Sequence, residues 1–238
     1  MDGVAEPSLV RAAAQNNSEW CDAFCRTHGV VGRFREHCWF SPVRTPPYYP
    51  DAVTLLPDVG VEDTLSGIDT TEGCSVKDSF ADLELDSAGF RPLFRAEWLV
   101  SAQIRLSAAK GWSALATEEQ LGEWEAAWAG LPEGKRFFRR ALLEDETIRV
   151  LARYEGARIV AGAIANRSAA VTGLSNVFDV AGDTDSAWAA GAAVAAGLWG
   201  DMPTVGYESG DCLDAAHKAG FESIGDLVVW IKAPSAPN

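Results

Sequence analysis

The chain has 238 residues, 47% of them hydrophobic, and a formal net charge of −14. Length and apolar content suffice for a full hydrophobic core. The acidic balance argues against nucleic acid or an anionic membrane surface as partner, because both are gripped by basic patches.

Residues 8–28 predict a helix ending at Gly29, with Trp20, Phe24, Cys21 and Cys25 spaced for one apolar face. Cys21, Cys25 and His28 share that face, and His37 and Cys38 follow nearby, yet the spacing matches no zinc signature. Buried structural cysteines and no metal are therefore expected. The five cysteines are an odd number, which fits reduced thiols in a cytoplasmic protein better than a disulfide frame. "MDGVAEPS" lacks the basic and apolar regions of a signal peptide, and no uncharged apolar run is long enough to span a membrane.

"SPVRTPPYYP" (41–50) is an extended segment whose prolines exclude helix. Tyr48, Tyr49 and Asp51 sit on this stiff loop and are candidate substrate contacts; packing of the Pro-Tyr pairs over a core is the equal alternative. "DAVTLL" predicts a short strand. "SVKDSFADLEL" (75–85) and "FRPLFRAEWLV" (90–100) read as two strands joined by a turn at "DSAG". Lys77, on the first of them, is a further substrate candidate beside a simple role at the sheet rim.

"TEEQLGEWEAAWAGL" (117–131) has helical spacing behind Thr117 as N-cap, and "GKRFFRRALLED" (134–145) reads as a second helix. Residues 148–180 predict three antiparallel strands, the first two joined by a hairpin at "EGAR". The helix 186–199, almost wholly Ala, Val, Leu and Trp, should lie buried behind them. A strand at "TVGYES", a helix at "DCLDAAHKAG" and a last strand "FESIGDLVVWIK" complete the chain.

From residue 90 this order resembles the GNAT superfamily of N-acetyltransferases, and "AAHKAGFESIGDLVVW" (215–230) is similar to that family's late helix, Gly-Phe turn and closing strand. The resemblance implies an α/β fold, a GNAT-like, mostly antiparallel central sheet flanked by helices, over 89–238. Residues 1–88 then form an N-terminal extension packed on that core. It implies an acyl-CoA-dependent N-acyltransferase acting on a small amine, with acetyl-CoA or another acyl-CoA as donor. The pantetheine arm would pair with Asn176, Val177 and Phe178, and the pyrophosphate would rest on the turn before the next helix, with Ser186 at the family's first loop glycine.

That turn departs from the family's pattern. Asp185 stands where Arg or Gln is usual and Trp188 at the second glycine, while Gly182 comes too early. The family's acid, a tyrosine, falls on Ala216, with His217 beside it. Asp183, Thr184 or Asp185 can cap the helix themselves, accepting bonds from the N–H groups a phosphate would use. Weak CoA binding is expected.

Ser175 and Asn176 interrupt an apolar strand where the family's sheet parts, which makes Ser175 a candidate cleft residue. Tyr207 and Glu208 alternate faces on the next strand, so one should face the same cleft. Glu208 is the candidate base, directly or through water, and Tyr207 or His217 the candidate acid. The alternative is a GNAT-fold protein that has lost CoA and serves as a small-molecule binding protein or as an enzyme of another class. Either way the expected partner is a small molecule; the oligomeric state stays open, a homodimer included.

Overall fold

Helical spacing and capping place the first element, α1 (Glu6–Thr27), where the apolar periodicity puts it, and Gly29 leaves it at φ 77°. The structure, a computed structural model, describes residues 6–101, 106–130, 136–200 and 202–234. The chain continues through β1 (Arg33–Phe34), β2 (Cys38–Phe40), β3 (Ala52–Thr54), α2 (Val61–Leu65), β4 (Ser75–Asp78) and β5 (Phe90–Ser101). Then follow β6 (Trp112–Ala114), α3 (Glu118–Ala129), β7 (Ile148–Glu155), β8 (Arg158–Arg167), β9 (Thr172–Asp179), α4 (Thr184–Trp199), β10 (Thr204–Glu208), α5 (Gly210–Lys218) and β11 (Glu222–Lys232). The fold is α/β, with mostly antiparallel strands and accompanying helices. Two compact units divide it: residues 1–98 with 224–238, and residues 99–223.

In the first unit β2 pairs antiparallel with β1 and β3, β3 runs parallel to β4, and β4 pairs antiparallel with β11. Phe40, Val76, Leu85, Phe90, Val228 and Trp230 form one buried cluster, so a strand from the far end of the chain completes this core. On α1, Phe24 stacks on Tyr49 at 3.8 Å between ring centroids. The 75–85 strand expected from sequence stops at Asp78. Its carboxylate accepts the backbone N–H groups of Phe80, Asp82 and Leu83, which turns the chain out of the ladder. "DSAG" is a 3-10 turn, Asp86–Ala88, closed by Gly89, and β4 finds its partners in β3 and β11 rather than in the 90–100 strand.

In the second unit β6, β7, β8 and β9 form an antiparallel run, and β10 joins β9 in parallel. The β7–β8 hairpin closes on Gly156 at φ 62°, the left-handed position a tight two-residue turn requires. Helix α3 has its capping box: the Thr117 hydroxyl accepts the Gln120 N–H, and the Gln120 side chain accepts the Thr117 N–H. The helix expected over 134–145 is instead a 3-10 turn at Arg140–Leu143; residues 131–135 lie outside the described residues. The cause is local. The Glu125 carboxylate accepts the N–H groups of Phe137 and Phe138, and Phe138 packs edge-on against Trp124 at 5.2 Å. Helix α4 is buried along Ala187, Trp188, Ala190, Gly191, Ala192, Ala193, Ala195 and Ala196, on a cluster that includes Leu151, Ala163 and Leu174. This is the buried helix behind three antiparallel strands that the apolar sequence predicts.

Candidate active site

Two neighbouring strands of the second unit part company. β9 and β10 are paired at Thr172–Thr204 and Gly173–Val205, and the ladder ends there. Two residues further along β9 the pairing with β8 slips, between Gly162 and Ile164, and Asn176 adopts φ 52°. An extra residue in the left-handed region is a β-bulge, which bends the strand and raises its twist. Ser175 and Asn176 mark this point in the sequence, because they are the polar pair in an apolar strand.

Alternation then assigns faces. A Cβ added at Gly206 would lie 2.6 Å from Cη2 of Trp188, so Gly206 faces α4. Glu208, two residues on, faces the same way, and Tyr207 faces the opposite side. Trp188 also packs edge-on against Phe221 at 4.9 Å and is fully buried. Its Nε1–H and the Ser175 hydroxyl are buried with no hydrogen-bond partner among the described residues, a costly state for polar atoms.

Glu208 is half-buried at the end of β10, with no hydrogen bond or ion pair among the described residues. Burial alone lifts its carboxyl from 4.5 to about 7. The exposed Cys212 of α5 feels its charge: burial, then Glu208 and Asp211, raise that thiol. A carboxyl that titrates near neutrality, without a partner, where strands part, can take a proton from an incoming group. Tyr207 shares β10 with it. His217 stands on exposed α5, its Nε2 2.9 Å from the Ser223 hydroxyl, and Ala216 is fully buried.

The turn before α4 is arranged differently from the sequence expectation. Asp183 occupies the N-cap position but makes no side-chain cap bond. The carboxylate in the turn is that of Asp179, whose Oδ1 accepts the N–H groups of Ala181 at 2.8 Å and Asp183 at 3.3 Å. Its Oδ2 is 3.0 Å from Nη2 of Arg153 on β7, and its side chain is 2% exposed. Self-capping by Asp183, Thr184 or Asp185 is thus corrected to occupation by Asp179. The missed signal lay in "DVAG": Asp two residues before an N–H it can bond is a turn former. Asp183 and Ser186 are exposed, so Ser186 carries no buried contact.

Coenzyme A, which the resemblance to the GNAT superfamily implies, has two halves to fit. Asn176, Val177 and Phe178 lie along the bulged strand and present no charge to an uncharged pantetheine arm. The turn does not fit a pyrophosphate, because its N–H groups already serve Asp179, and Asp183 and Asp185 add negative charge.

The remaining candidates lie in the first unit. Asp51 is buried and accepts the Thr45 and Ser75 N–H groups while pairing with Arg44 at 3.0 Å. Lys77 is buried and donates to Asn17 Oδ1 at 2.7 Å. Tyr49 is stacked on Phe24, and Tyr48 is 90% exposed at φ 71°. Asp51, Lys77 and Tyr49 hold the fold together, and Tyr48 alone projects to solvent. Cys21, Cys25, Cys38 and Cys74 are buried; burial pushes the Cys21 thiol up to about 11 and that of Cys74 up to about 12. They are inert core residues.

No protein-family model and no curated protein matches the sequence. Solved structures do. A GCN5-related N-acetyltransferase from Kribbella flavida superposes with a TM-score of 0.58 at 15% identity, over 94% of this chain and 96% of that one. An acetyltransferase of the GNAT family from Colwellia psychrerythraea gives 0.54 at 14% identity, over 98% of each chain. A conserved protein of unknown function from Staphylococcus epidermidis gives 0.50 at 11% identity, over 70% of this chain and 74% of that one. The chain therefore has the GNAT fold, in a divergent form. No described helix is long and apolar enough to cross a membrane.

Proposed function

We propose that this chain is an N-acyltransferase that moves an acyl group from a thioester to a small amine, with Glu208 as the base. The observation that carries the reading is Glu208: a half-buried carboxyl without a partner, raised to about 7, beyond the point where β9 and β10 separate. The fold supports acyl transfer as the reaction class. The amine lone pair attacks the thioester carbon. The C–N bond forms, the C–S bond breaks, and the amine proton passes to Glu208. The departing thiolate takes a proton from water, because Tyr207 faces the opposite side of β10 from Glu208. The parted strands orient the two reactants, and their apolar surroundings keep competing water out.

The test is amide formation from an acyl thioester and a panel of small amines, followed against pH. Because the base acts deprotonated, the rate should rise with pH through about 7. Glu208→Gln should lose that limb and roughly 10²–10⁴ of the rate. A Glu208→Gln enzyme with the parent rate and pH profile would overturn the assignment. Absence of amide formation with any thioester would favour the small-molecule binding protein instead.

A further inference from the structure

We infer that Asp179 is a built-in occupant of the anion site before α4, so that the acyl donor is recognised by its uncharged pantetheine arm and not by its phosphates. This deepens the acyl-transfer reading and rests on it for the nature of the donor.

A pyrophosphate at this turn would draw on its backbone N–H groups, those of Ala181 and Asp183 among them. Both already donate to Asp179 Oδ1, at 2.8 Å and 3.3 Å. The basic side chain at this turn, Arg153, is committed too: Nη2 is 3.0 Å from Asp179 Oδ2 and Nη1 3.1 Å from Glu155 Oε1. The Asp179 side chain is 2% exposed, so the carboxylate is seated in the turn and not merely beside it. A phosphate group would have to expel a hydrogen-bonded, ion-paired carboxylate and then sit near Asp183 and Asp185. Exposed Gly182, the turn's glycine, has open space where a Cβ would stand, so crowding is not the obstacle. The obstacle is charge already in place.

Along β9, Asn176, Val177 and Phe178 carry no charge. Pantetheine carries no phosphate, so the Asp179 carboxylate leaves its binding untouched. Pantetheine thioesters should therefore serve as donors about as well as the corresponding CoA thioesters.

The experiment is calorimetric titration of the full chain with CoA, pantetheine and inorganic pyrophosphate, on the parent, Asp179→Ala and Asp179→Asn, with circular dichroism to check folding. For the parent, CoA and pantetheine should bind within about threefold of each other, and pyrophosphate should give no binding at millimolar concentration. Asp179→Ala frees the two N–H groups and Arg153, so CoA and pyrophosphate should gain about tenfold or more while pantetheine stays unchanged. Asp179→Asn keeps an acceptor in the turn but removes the charge, and should gain less. Parent affinity for CoA more than about tenfold above that for pantetheine would overturn the inference. So would folded variants with no gain, or a parent that binds neither CoA nor pantetheine. These readouts are independent of turnover. An inactive chain that binds CoA and pantetheine equally refutes acyl transfer and keeps the closed turn. An active one that grips CoA far more tightly does the reverse.

Discussion

Trp188 and Gly206 are complementary: the indole fills the space a side chain at residue 206 would need, with Cη2 2.6 Å from the position of an added Cβ. The backbone oxygen of Leu174 is 3.0 Å from the same point, so the indole is not the only obstacle. Gly206→Ala should cost about 1–3 kcal/mol through overpacking. Trp188→Ala should cost about 3–5 kcal/mol through the cavity it leaves. The double variant should cost less than the sum, because the cavity admits the methyl. Urea unfolding of the four proteins measures this coupling.

Glu208 ties stability to pH with a definite sign. Its carboxyl is raised from 4.5 to about 7 by burial, so the folded chain keeps a proton that the unfolded chain has lost. Its contribution to stability is fully present below pH 4.5 and is lost as pH rises to about 7. Glu208→Gln should flatten this part of the stability curve and make the protein more stable than the parent above pH 7. Thermal melts from pH 4 to 8, compared pairwise, are the check; a variant that loses stability relative to the parent as pH rises would contradict the sign.

Residues 1–88 should not fold as an isolated fragment. β4 is hydrogen-bonded to β11, and Val228 and Trp230 belong to the same buried cluster as Phe40 and Val76. Without β11 that cluster is open and an edge is exposed. The fragment should aggregate or melt without cooperativity, and a chain truncated after residue 223 should lose the first unit's cooperative transition. Heteronuclear spectra of both fragments decide it.

The α3 capping box offers a smaller, cleaner effect. Thr117→Ala leaves the Gln120 N–H without its hydroxyl acceptor. About 1 kcal/mol of stability should be lost, while Thr117→Asn keeps most of it. Guanidinium unfolding of the two variants separates the cap from general packing.

Much of this architecture was legible in the residues because the cause is local. Thr117 followed by Gln120 starts a helix anywhere, and a run like 186–199 has only apolar surface to bury. Ser175 and Asn176 broke an apolar strand, and the bulge lies there. The structure departs from the sequence expectation where a side chain, near or distant in the chain, captures the backbone. Glu125 took the N–H groups that a 134–145 helix would have used, and Asp78 turned the chain where alternation promised a longer strand. At the turn before α4 the sequence points to a carboxylate of the chain itself on the free N–H groups, and in the structure that carboxylate is Asp179. Asp183 and Asp185 were nearer the helix, whereas Asp179 reaches it from the strand end, held by Arg153 from a neighbouring strand. Periodicity carries no information about such a partner.

The division of the chain also sets an order of assembly during synthesis. The second unit is a single stretch, 99–223, whereas the first needs 224–238 as well as 1–98. A ribosome delivers residues 1–98 first, but without their closing strand. The second unit has its whole sequence once residue 223 has emerged, whereas the first still lacks residues 224–238. Residues 1–98 are therefore made before 99–223 yet are locked after them, when β11 joins β4.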